Sequence, residues 1–97
     1  MSVIWTDAAA AQLLAIRDYL AQSSPGYAQV LVNRIVTHAD RLASQPFIGS
    51  QVPEYDDEAI REVFEHPFRI LYRVDGQEVQ VLAVIHSSRR LPRTPPS

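Results

Sequence analysis

The spacing of apolar residues changes along the chain, and each change predicts an element. Ser2 to Trp5 is short, apolar and partly β-branched, and it stops at Thr6, which predicts a strand. Thr6-Asp7 offers a hydroxyl N-cap followed by an acid in the first turn of a helix. Ala9, Leu13, Ile16 and Leu20 then recur at helical spacing, forming one apolar stripe. Ser23-Ser24-Pro25-Gly26 breaks the pattern, with Ser24 placed to cap a second helix and Pro25 at its first position. Ala28, Leu31, Val32, Ile35, Ala39 and Leu42 form the second stripe, which Pro46 ends. The short link predicts an antiparallel helical hairpin.

Phe47 to Glu58 reads as a loop, and its acids Glu54, Asp56, Asp57 and Glu58 read as a solvated run. From Ile60 the period falls to two. Ile60–Glu65, Phe68–Val74 and Glu78–His86 are the strand candidates, with His66-Pro67 between the first two. Val63 and Phe64 cannot both face a core. Asp75-Gly76 reads as the two-residue loop of a type I′ hairpin. That loop would set Val74 against Gln77, Tyr72 against Val79, Ile70 against Val81 and Phe68 against Ala83, an apolar face for the helices. The opposite face would pair Arg73 with Glu78, Leu71 with Gln80 and Arg69 with Leu82, with His86 further along it. The pattern predicts an α+β fold of order β-α-α-β-β-β, its helical hairpin on one face of a small, mainly antiparallel sheet. Residues 1–91 form one domain in this reading. Residues 92–97 form a Pro-rich tail, mobile unless something binds it.

Composition narrows the chemistry. The 97 residues contain no cysteine, which excludes disulfides, a thiol nucleophile and Cys-ligated metals. The longest charge-free run near the start, Ala8 to Ile16, is far short of the ~20 residues a membrane span needs. No basic n-region precedes it, and a cytoplasmic protein without cofactor or metal is expected. Net charge is −2, and all nine basic residues are arginine. Residues 1–60 hold three arginines against seven acids, and residues 61–97 six against four. The cationic groups therefore gather in the C-terminal third.

No common catalytic motif is present. His38, His66 and His86 have no metal-site spacing; the first two read as a surface residue and a turn residue. What remains is Arg61, Arg69, Arg73, His86, Arg89 and Arg90. Arginines can hold phosphates or carboxylates, and a histidine can move a proton. On RNA such a set would suit attack of a 2′-hydroxyl on the adjacent phosphate. Equally, Arg73 could pair with Glu78 across the hairpin, leaving the others solvated or bound to acidic partner residues.

Leu42…Pro46…Gly49, Ile60-Arg61-Glu62, Phe68-Arg69-Ile70-Leu71-Tyr72-Arg73-Val74 and Val81 through Arg90 together resemble the RelE/ParE superfamily of bacterial toxins. The resemblance runs from residue 2 to about residue 91. It implies a toxin of a type II toxin–antitoxin module, neutralised by a small antitoxin that also binds the operon's operator DNA. The outer surface of the helical hairpin is a candidate groove for that antitoxin. RelE-type members cleave mRNA on the ribosome; ParE-type members inhibit DNA gyrase without being known enzymes. The absence of lysine and of any tyrosine after Tyr72, and the net acidity, favour the ParE side. Under that reading Arg89, Arg90 and Arg93 contact gyrase. Under the endonuclease reading Arg61, Arg69, Arg73 and His86 carry the reaction.

Overall fold

The computed structural model describes residues 1–97. Strand β1 (Ser2–Trp5) leads into helices α1 (Asp7–Ala21) and α2 (Pro25–Arg41). Strands β2 (Ser50–Gln51), β3 (Ile60–Glu65), β4 (Phe68–Asp75) and β5 (Glu78–His86) follow. The expected order gains one short strand, because Ser50 and Gln51 of the presumed loop pair with Glu62 and Arg61 at the sheet edge. The sheet order is β1-β5-β4-β3-β2, antiparallel except where β1 runs parallel to β5. Neither helix is long and apolar enough to cross a membrane.

The two helix starts differ. The Thr6 hydroxyl accepts the Ala9 N–H at 3.1 Å, as its position predicts. Ser24 occupies the corresponding position before α2 but makes no side-chain cap bond. There Pro25 lacks an N–H to be satisfied and supplies a helix-ready φ.

Both helical stripes pack on one sheet face. Ala9, Leu13, Leu31, Ile35, Ala39 and Leu42 meet Val63, Ile70, Tyr72, Val79, Val81 and Val84. Val63 takes the inward position and Phe64 is exposed. Tyr72 is fully buried, and its phenol oxygen accepts the Gly49 N–H at 3.0 Å. A side chain at Gly49 would strike the Glu62 carbonyl and, at 2.6 Å, the Tyr72 hydroxyl, so only glycine fits.

The other face is covered as well, which the sequence reading did not anticipate. Val52, Tyr55, Ile60, Leu71, Ala83 and Leu91 form a second, smaller core there. The segment after β2 lies over this face from one side and the C-terminal segment from the other.

The β4–β5 pairing corrects the expected register. Asp75 faces Glu78, Val74 faces Val79 and Tyr72 faces Val81. The loop residues are thus Gly76 and Gln77. A type I′ loop needs positive φ at both central residues, whereas only Gly76 has it, at 59°. Positive φ at the first central residue alone is the type II′ pattern. Further along, Leu71 faces Ala83, so Leu82 is an extra residue on β5. This β-bulge exchanges the two faces of β5 beyond it. Val84 joins the helix-facing core and Ala83 the other, reversing the expected pairing of Phe68 with Ala83.

Candidate functional site

Alternation along β4 puts Arg69, Leu71 and Arg73 on the face away from the helices, and pairing adds Ile60, Glu62 and Phe64 of β3. Arg69 is buried there and fully engaged. Its Nε donates to Glu62 at 2.6 Å, and its two terminal nitrogens donate to the two Glu54 oxygens at 2.8 and 2.9 Å. Arg73 donates to Asp57 at 3.1 Å, not to Glu78. The acidic segment is therefore only partly a solvated run. Glu54 and Asp57 return to the sheet and neutralise its arginines, while Asp56 and Glu58 are exposed.

Ionisation follows these contacts. Hydrogen bonding from Arg69 holds the Glu54 carboxyl below its ordinary range. The Ala59 N–H, then Arg73, does the same for Asp57. Bonding to Glu54 pushes the Arg69 guanidinium further into its charged form. Burial raises the Tyr55 and Tyr72 phenols.

Arg61 is on the helix side, opposite Tyr72. It donates to the Gly49 carbonyl at 2.7 Å and lies 5.1 Å from the Phe47 ring centre, where the cation faces the ring. The bulge puts His86 opposite Phe68, its ring edge-on to Phe68 at 5.4 Å. His86 Nδ1 accepts the Ser88 N–H at 3.1 Å, so a neutral ring carries its proton on Nε2. Arg61, Arg69, Arg73 and His86 are thus not one constellation. Two are clamped by carboxylates on the far face. The other two lie on the helix side but on strands either side of β4, opposite Tyr72 and Phe68, which are four positions apart, roughly 13 Å at strand rise. No group of three or more His, Asp or Glu side chains converges to hold a metal ion.

The sequence matches the family described as "ParE toxin of type II toxin-antitoxin system, parDE" over residues 3–91. This chain belongs to the ParE toxin family. It is similar to a protein named Toxin RelE2 from Caulobacter vibrioides, 39% identical over 88 residues that cover 90% of this chain and 96% of the relative. It is also similar to a solved structure titled "Chromosomal ParDE TA system from P. aeruginosa". The TM-score is 0.75 with 32% identity, covering 89% of this chain and 95% of that one. The chain is thus a type II toxin, which implies a cognate antitoxin.

In this ParE-family toxin the exposed cationic groups beyond β5 are Arg89, Arg90 and Arg93, and none has a carboxylate partner. Arg89 and Arg90 border a cleft of about 790 Å³ with His86, facing Tyr19 and Leu20 of α1 and Tyr27 of α2. No acidic residue lines it. The tail is held where it leaves this cleft: Leu91 is buried in the second core, and Tyr55 Oη donates to the Pro92 carbonyl at 2.8 Å. The mobile-tail expectation carried the condition that nothing binds it, and Tyr55 does so. Sequence reasoning missed Glu54, Asp57 and Tyr55. Spacing gave no signal for them, since Glu54 and Asp57 are three apart and Arg69 and Arg73 four apart.

Proposed function

We propose that this toxin arrests growth in the cytoplasm by inhibiting DNA gyrase through protein–protein contact, with Arg89, Arg90 and Arg93 as contacts, until its antitoxin binds. The observation that carries this reading is the division of the arginines. Arg61, Arg69 and Arg73 of the sheet are spent on internal carboxylates and carbonyls, whereas Arg89, Arg90 and Arg93 after β5 are exposed and unpaired. Unpaired guanidiniums are suited to bidentate contact with a partner's carboxylates. The matched family supports the same side of the superfamily.

A second reading, cleavage of ribosome-bound mRNA, is favoured by one observation: His86 shares a cleft with Arg89 and Arg90. As a base it would accept at Nδ1, which Ser88 already bonds, and only Nε2 carries a proton to give. The deciding experiment is supercoiling by purified gyrase with antitoxin-free toxin titrated in. Inhibition that Arg89→Ala with Arg90→Ala removes and His86→Ala leaves is the expected result. Untouched gyrase alongside arrested growth would reject the reading, and cleavage of ribosome-bound mRNA would then be assayed.

A further inference from the structure

After β5 the chain could leave the body as a free tail, but four contacts turn it back. The Ser87 N–H donates to the Pro67 carbonyl at 2.8 Å and the Arg89 N–H to the His86 carbonyl at 2.9 Å. Leu91 then enters the second core against Val52, Tyr55 and Leu71, and Tyr55 Oη holds the Pro92 carbonyl. Arg89 and Arg90 precede this anchor and Arg93 follows it. Tyr55 is itself fixed, because its neighbours Glu54 and Asp57 are tied to Arg69 and Arg73. A line of contacts therefore runs from Arg69 and Arg73 of β4, through the acidic segment, to the exposed arginines of the tail.

We propose that Tyr55 and Leu91 are positioning residues, which pin the tail so that Arg89, Arg90 and Arg93 meet the target in one arrangement. The proposal rests on the tail being the toxic surface and is independent of which target it meets. An unpinned tail would have to be ordered on binding, and that cost outweighs the contact Arg93 returns, so the contact is no longer made.

Leu91→Ser and Tyr55→Phe test this in the full-length chain. Trypsin cleavage after Arg90 should speed up in both variants while the body resists. The toxin level that halves growth on induction should rise by about tenfold for Leu91→Ser and less for Tyr55→Phe. Leu91→Met should restore it. Arg93→Ala should cost several-fold in the wild-type chain and nothing further beside Leu91→Ser, because an unpinned Arg93 no longer contributes. A merely structural loss would instead add to it. The proposal falls if trypsin cleavage is unchanged, if a freed tail leaves toxicity intact, if the two losses add, or if the wild-type chain does not arrest growth. Gyrase assayed in parallel reads the target separately. Non-additive losses in cells with gyrase untouched would keep the pin and reject the target.

Discussion

Glu54 grips both terminal nitrogens of Arg69 while Glu62 takes its Nε, so one guanidinium satisfies two carboxylates from different segments. Glu62 is 4% exposed, and Glu54 is largely at the surface. The two acids should therefore depend on Arg69 to different degrees. Arg69→Ala strands the buried Glu62 charge and should cost about 3–5 kcal/mol. Glu54→Gln, at the wet end, should cost about 1 kcal/mol. Urea unfolding of both variants checks the ratio. Any loss of toxicity in Arg69→Ala should then follow the loss of folded protein.

Acid should loosen the far face first. The carboxyls of Glu54 and Asp57 both titrate lower in the folded chain than when unfolded. Their contribution is complete above the ordinary carboxylate range, about 4, and is lost as pH falls through the lowered folded values. A Glu54→Gln, Asp57→Asn double variant should be less stable near neutrality. Its unfolding free energy should also vary less with pH below about 4 than that of the wild type.

Gly49 and Tyr72 should behave as one unit. Gly49→Ala drives a methyl into the Glu62 carbonyl and the Tyr72 hydroxyl and should cost about 1–3 kcal/mol. Tyr72→Phe leaves the buried Gly49 N–H without its acceptor, also at about 1–3 kcal/mol. The double variant should fall short of the sum, because a phenyl ring in place of the phenol has no hydroxyl for the methyl to meet. Urea unfolding of the two single variants and the double variant closes the cycle.

The helix starts give a contrast in which one side chain matters and the other does not. Thr6→Ala removes a formed cap bond and should cost about 1 kcal/mol. Ser24→Ala removes none and should stay within about 0.5 kcal/mol. Thermal unfolding of the two variants suffices.

Those same starts show what was readable from residues alone. Thr6, the two apolar stripes and the period-two strands are local signals, and the elements form where the signals lie. Ser24 has the right identity and place but makes no bond, its backbone at φ −152°, ψ 78° departing from the extended conformation in which Thr6 caps. Asp75-Gly76 misleads on the sheet register, since the glycine could serve as either central residue of a tight loop. The bulge at Leu82 has no composition signal at all. It becomes visible only when Val84 is found in the helix-facing core and Ala83 in the core on the opposite face. At the site, the exposed tail arginines could be named from the sequence. The pairing of the acidic run with Arg69 and Arg73 could not, because it joins segments whose meeting depends on how the chain turns after β2.

The extra residue at Leu82 also bears on comparing this chain with its relatives. It acts as a phase slip: downstream of it, odd and even positions exchange sides. Two toxins can therefore align without a gap through the terminal strand and still present the same histidine to opposite sides, if one pairs through the slip and the other without it. For the stretch from Ala83 to His86, residue identity should be carried between relatives only together with strand pairing.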